Sequence, residues 1–256
     1  MKPNVLVFSG YGLNSEEETA YGFELAGAKA DIVHVNDLID RVYALKNYQI
    51  IAFPGGFSYG DDTGAGNAYA NKLRNHLTDE IHAFFERDSL VIGICNGCQI
   101  IANFGLIPAI SLLHNQSARL VTRWTDLRVA AKTPWLVDID ILSLPIAHGE
   151  GKFFVAEENL RKLHANKQIA LQYTEGPMSN YLDLPANPNG SIDDIAGIID
   201  ETGRVLALMP HPERGMFFTQ RPDWPYLKEK YKREKKQPPS EGPGLQIFKN
   251  AVKYFK

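Results

Sequence analysis

Short apolar runs punctuate the N-terminal part of the chain: Val5-Leu6-Val7-Phe8, Ile50-Ile51-Ala52-Phe53 and Leu90-Val91-Ile92-Gly93-Ile94, with a weaker one at 31–35. Each is bounded by turn or polar residues and is too short for a buried helix, so each reads as a strand. Between them lie segments with helical periodicity. One covers 16–26, with Ser15 and Glu18 spaced as a capping box and Gly27 as its stop. A longer one is predicted over 67–87. Near-continuous apolar strands joined by helices predict an α/β fold, with a mostly parallel central sheet covered by helices on both faces. Beyond Leu120 the pattern loosens into short β-like pieces at 120–122 and 128–130, expected as antiparallel additions to that sheet. Asn187-Pro188-Asn189-Gly190-Ser191 is a turn, 195–199 and 205–209 return as core strands, and 245–255 is an amphipathic closing helix. No internal repeat is present, and the whole chain, 1–256, is expected to form a single domain.

Composition narrows the function classes. The chain has 256 residues, 44% hydrophobic and 22% charged, which is ordinary for a globular protein. A formal net charge of −3 gives no electrostatic reason to expect nucleic acid or an anionic membrane surface as partner. No apolar run approaches the ~20 residues that cross a bilayer. Met1-Lys2-Pro3 leads straight into the first strand without a signal-peptide pattern, and two cysteines make no disulfide framework, so a cytoplasmic location is expected. The stretch 221–243, rich in Lys, Glu and Pro, reads as a solvated excursion, with a partner-contact element as the alternative.

Candidate chemistry gathers around Cys95. It follows the strand at 89–94 and precedes an apolar helical stretch, with Gly93 and Gly97 on either side. Such a turn lifts a side chain off the sheet, and the following helix N-terminus favours negative charge there. Cys95-Asn96-Gly97-Cys98 also has the C-x-x-C spacing of a redox pair, while a zinc site would need ligands that no second Cys pair supplies. After the strand at 205–209 comes Pro210-His211-Pro212-Glu213. The prolines predict an extended segment, in which His211 and Glu213 project to one side, so that the carboxylate could orient the imidazole. Pro54-Gly55-Gly56-Phe57-Ser58-Tyr59-Gly60-Asp61 ends the third strand at the same sheet edge as Cys95. Its glycines would let backbone N–H groups approach a ligand. A tight turn without a ligand, or a phosphate cradle lacking the usual Lys-Ser/Thr, are the other readings of that loop.

Taken together, these residues resemble the class I (triad-type) glutamine amidotransferases, a flavodoxin-like α/β family. The match rests on Gly93–Gln99 and His211-Pro212-Glu213 in that order. Pro54–Asp62, Asn115–Arg119, Ala147–Gly151 and Asn187–Ser191 narrow it to the glutaminase subunits of phosphoribosylformylglycinamidine synthases in purine biosynthesis. The resemblance implies that Cys95 is the nucleophile, His211 the acid/base and Glu213 its orienter. It implies an oxyanion hole from the Gly56 and Asn96 N–H groups, beside Gly55, and a glutamine pocket lined by Gln99, Asn115 and Ser117. Cys98 then belongs to packing, and His148 and Glu150 match the family without a role that follows. The implied reaction is hydrolysis of glutamine, with ammonia passed to a partner synthetase subunit and a further small subunit as another partner. No metal or cofactor is implied for this chain, while ATP and Mg belong to the synthetase. Three alternatives remain open: a stand-alone cysteine hydrolase, a non-catalytic scaffold and a redox protein.

Overall fold

The computed structural model describes residues 2–107 and 110–256. Met1, part of the N-terminus read above as leaderless, lies outside the described residues. The N-terminal half alternates as expected: β1 (Asn4–Ser9), α1 (Glu16–Leu25), β2 (Lys29–His34), α2 (Val35–Ile39), β3 (Ile50–Phe53), α3 (Asn67–His76), α4 (Thr78–Glu86), β4 (Leu90–Ile94) and α5 (Asn96–Phe104). The remainder adds β5 (Ser111–His114), β6 (Val121–Val129), β7 (Ile141–His148), β8 (Glu150–Phe154), α6 (Glu157–Ala165), β9 (Ile169–Thr174), α7 (Pro177–Leu182), β10 (Ile195–Ile199), β11 (Val205–Leu208), α8 (Trp224–Arg233) and α9 (Gly244–Tyr254).

One sheet runs in the order β2-β1-β3-β4-β11-β10-β9-β6-β7, and β5 pairs with β8 apart from it. From β2 to β11 the pairings are parallel. From β11 to β7 they are antiparallel. Every residue of β3, β4, β10 and β11 is buried, which requires both faces of the central sheet to be covered. The apolar runs were legible because a strand buried on both faces needs no alternation.

Three local expectations change. Ser15 precedes α1, but its hydroxyl accepts from Arg214 Nη2 at 3.0 Å and caps no helix N–H, so there is no capping box. The helical stretch at 67–87 is two helices. Leu77 breaks it with φ −134° while its side chain stays buried, and the Thr78 hydroxyl donates to the Arg74 carbonyl at 2.6 Å. The pieces at 120–122 and 128–130 are one strand, β6. Asp126 disguised it: this buried carboxylate accepts the Met178 and Ser179 N–H groups at the start of α7, together with the Ser143 hydroxyl. The segment 221–243 contains α8, which buries no residue and carries Lys230, Lys232 and Arg233 at its C-terminal end.

The junction of β4, α5 and β3 positions the site. Gly97, in the first turn of α5, lies so close to the end of β3 that a Cβ would come within 1.9 Å of the Phe53 carbonyl oxygen. Neither backbone can yield. Gly97→Ala is therefore expected to destabilise the protein by about 3 kcal/mol or more. A urea midpoint within error of wild type would show that this approach is not fixed.

Candidate active site

Cys95 sits between β4 and α5 with φ 51° and ψ −104°, a left-handed conformation that costs a non-glycine residue about 1–3 kcal/mol. Its N–H donates to Leu208 O of β11 at 2.8 Å, and its carbonyl accepts the Gln99 N–H, so the strained turn is clamped from both sides. The side chain is 5% exposed, and Sγ reaches the Ala147 carbonyl at 3.7 Å.

That carbonyl belongs to β7, the outermost strand of the sheet, whose free edge meets the catalytic region. Two residues earlier, Pro145 O accepts the His211 N–H at 2.8 Å. Residues 145 and 147 present their carbonyls to one side because the backbone repeats every two residues. The same strand edge thus holds both the cysteine and the histidine. A proline inside a strand pattern marks an edge, so Pro145 was an available signal that the sequence reading did not use.

His211 is extended, with φ −105° and ψ 93°, but Pro212–Arg214 turn into a short 3-10 segment. The predicted pairing of His211 with Glu213 is present, and its geometry differs from the extended segment expected. Nδ1 lies 2.5 Å from Glu213 Oε1, and both side chains are almost wholly enclosed. Burial pushes the His211 imidazolium down. The Glu213 carboxylate, the charge of Cys95 and the hydrogen bond to Glu213 outweigh it and raise His211 to about 10. Nε2 has no hydrogen-bond partner within normal reach among the described residues, yet the Cys95 side chain is near enough to contribute to that rise. Arg214 braces the pair: Nε stands 3.6 Å from Glu213 Oε1 and Nη2 donates to Ser15.

The glycine loop after β3 reaches the same place. A Cβ on Gly55 would come within 2.8 Å of His211 Cε1, so the loop packs against the imidazole. Asn14 and Ser15 N–H groups both donate to Gly55 O at 3.1 Å. The trans peptide then turns the Gly56 N–H the opposite way. Gly56 can have no side chain, since a Cβ would lie 2.5 Å from Gly12 O. Among the described residues neither the Gly56 nor the Asn96 backbone N–H has a partner. The Asn96 side chain ties the loop after β3 to α5, accepting from Ser58 N at 3.1 Å and donating to Asp61 Oδ1 at 3.2 Å and Gln99 Oε1 at 2.8 Å. Burial, and then the nearby Glu150 carboxylate, raise Asp61 to about 6 against the Asn96 hydrogen bond.

The three residues expected in a substrate pocket fare differently. Gln99 is buried, and its amide also donates to Glu150 O, which ties α5 to the β7–β8 turn. Asn115 is buried and clasps that turn, contacting His148, Gly151 and Arg119. Ser117 is exposed and closes a local turn with Arg119. The side-chain polar groups of Gln99 and Asn115 are committed to the protein itself. Cys98 is fully buried, and burial followed by the charge of Cys95 pushes its thiol well above the ordinary range. Among the described residues, no cluster of three or more His, Cys, Asp or Glu side chains is arranged to hold a metal ion, and no helix is long and apolar enough to cross a membrane.

A buried Cys–His–Glu set beside two unpartnered backbone N–H groups is the arrangement of a nucleophilic acyl-transfer site. Residues 2–255 match the family described as the CobB/CobQ-like glutamine amidotransferase domain. This chain belongs to that amidotransferase family. Among relatives of the amidotransferase is a protein of Methanococcus maripaludis named phosphoribosylformylglycinamidine synthase subunit PurQ, 47% identical over 100% of this chain and 99% of that protein. A protein of the same name from Dehalococcoides mccartyi is 43% identical over 99% of this chain and 98% of its own length. A chain in the structure of PurLQS from Thermotoga maritima superposes with a TM-score of 0.76 at 28% identity, covering 100% of both chains. The amidotransferase fold expected from the sequence, α/β with helices on both faces of the sheet, is borne out, the parallel half holding Cys95 and the antiparallel half bringing Ala147.

Proposed function

We propose that this chain, as a single amidotransferase domain over 1–256, is the glutaminase subunit of a cytoplasmic phosphoribosylformylglycinamidine synthase. The carrying observation is the enclosed His211–Glu213 pair, 2.5 Å apart, set against Cys95 in its strained turn. The names of the full-length relatives support the choice of substrate and pathway.

In this reading the Cys95 thiolate attacks the side-chain carboxamide carbon of glutamine. The carbonyl oxygen takes up negative charge between the Gly56 and Asn96 N–H groups. His211, held as imidazolium by Glu213, gives its proton to the departing nitrogen, and ammonia leaves behind a γ-glutamyl thioester on Cys95. Water then loses a proton to His211 as it attacks the thioester, and glutamate departs with the thiolate restored. Gln99 and Asn115 shape the pocket by fixing its walls, and Ser117 stands at the surface. A synthetase subunit receives the ammonia and carries the ATP and Mg that convert formylglycinamide ribonucleotide to the amidine, with a further small subunit as another partner. The redox alternative is disfavoured because a thiol as deeply buried as Cys98 is a poor partner for exchange.

An assay of glutamine hydrolysis with and without the synthetase tests this. Glutamate release is expected to be slow for the chain alone and to rise several-fold when the synthetase, ATP and formylglycinamide ribonucleotide are present. Amidine formation from ammonium salts should not need this chain. No glutamate in either condition, or brisk cleavage of peptides by the chain alone, would overturn the proposal.

A further inference from the structure

His148 has no place in the mechanism above, yet it is 1% exposed and ends β7 next to the Ala147 carbonyl that receives the Cys95 thiol. Its tautomer is fixed by its neighbours. Asn115 Nδ2 donates to Arg119 O at 2.9 Å and to His148 O at 2.7 Å, which makes Asn115 Oδ1 an acceptor. That oxygen takes the Gly151 N–H at 3.3 Å and lies 3.0 Å from His148 Nδ1. Nδ1 must therefore carry the hydrogen, and Nε2 is left with a bare lone pair. This Nε2 is buried and has no partner among the described residues. The ring has no freedom to relieve it. Gly151 lies flat against the imidazole, where a Cβ would come within 2.2 Å of Nδ1, and Asn189 holds Gly151 O at 2.8 Å.

A buried acceptor without a donor is rare and costly, and is explained when the missing donor is a ligand. Burial, and then the charge of His211, hold His148 down to about 3, so the ring stays neutral. That dependence also places it within electrostatic reach of the acid/base. The proposed reaction contains a donor that nothing else takes. The carboxamide oxygen is met by two N–H groups and the nitrogen receives a proton from His211, but of the nitrogen's own two N–H bonds only one can be taken by the Ala147 carbonyl.

We propose that His148 Nε2 accepts an N–H of the glutamine carboxamide and then of the ammonia that leaves, an assignment that rests on the glutaminase reading. One accepted N–H fixes rotation of the amide nitrogen, so that its developing lone pair can face His211. Nε2 stays unprotonated, so it has no proton to give to ammonia. It therefore orients the leaving group and lets it depart uncharged. The bare carbonyl of Ala147, released when the Cys95 thiol ionises, is a second acceptor on the same strand edge.

The test compares His148→Asn, whose amide reaches only the Nδ1 position, with His148→Gln, whose amide reaches Nε2. Each is assayed in the full chain with the synthetase present. For glutamine, kcat/KM is expected to fall about tenfold or more in His148→Asn and to be largely regained in His148→Gln. The γ-methyl ester of glutamate has no N–H on its leaving atom, and its hydrolysis should change less than about twofold in either variant. Equal losses on amide and ester, or no loss on the amide, would overturn the inference. Absence of glutamine hydrolysis by the wild type would instead remove the glutaminase reading beneath it. If the variants do not fold, imidazole 15N spectra of full-length Cys95→Ala decide. Glutamine must shift an unprotonated His148 Nε2 resonance that glutamate leaves in place, and a protonated or indifferent Nε2 refutes the assignment.

Discussion

Cys95→Ala is expected to abolish glutamine hydrolysis, lowering kcat by at least ~10⁴-fold, because the covalent route disappears with the only atom that can form the thioester. The fold should tolerate the change, and the strain at φ 51° remains, since alanine meets the same left-handed penalty as cysteine. The companion variant, Cys98→Ala, separates nucleophilic from redox chemistry. Cys98 points into the core at 0% exposure, so removing its sulfur should cost about 1–2 kcal/mol of stability. Its kcat should stay within about threefold of wild type. Both variants are measured by glutamate release and by thermal unfolding in parallel. Comparable loss of activity in the two, with a dithiol that titrates as a pair, would displace the glutaminase in favour of exchange chemistry.

The nucleophile was legible from sequence because three independent constraints coincide at it. A run buried on both faces has to be a central strand, Gly97 is required by the Phe53 carbonyl, and the helix must start at once. His211 and Glu213 were found through their spacing, although the pairing is made by a 3-10 turn after Pro212 and not by an extended strand. A two-residue offset brings side chains together in either geometry, so the contact survived an incorrect backbone. What stayed hidden depends on long-range placement. Local pattern does not tell that the edge of β7 folds against Cys95 and His211, nor that Arg214 meets Ser15 across most of the chain. The same holds for β6, where the buried Asp126 serves the N–H groups of α7 and so breaks the apolar pattern that would mark a strand. Gln99 and Asn115 carry the lesson into the site. The family resemblance implied that they line the pocket, and the hydrogen bonds show that their amides hold the protein to itself.

Glu213→Gln removes one charge from an enclosed pair, and is expected to lower kcat by about 10³- to 10⁴-fold with little change in KM. Glu213 is fully enclosed, so substrate binding should not sense it directly. The amide can still accept from His211 Nδ1, but it cannot hold the imidazolium. Burial, the largest influence on His211, would then act against Cys95 alone and bring its value down from about 10. Stability reports the same change. In the wild type His211 binds its proton more tightly folded than unfolded, where the ordinary value is ~6.5. Its contribution is complete below that value and is lost as pH rises through the folded value near 10. Cys95 also faces the ring and shares its proton balance with His211, while His148, held down to about 3, stays neutral throughout that window. The wild-type melting temperature should therefore decline between about pH 6.5 and 10, and the decline should flatten in Glu213→Gln. Glu213→Asp, which keeps the charge but withdraws it by one methylene, should recover part of both the rate and the alkaline slope. A loss of activity below tenfold with an unchanged pH–stability curve would mean that the carboxylate only packs against His211, and that the imidazole is oriented by Pro145 and the loop at Gly55.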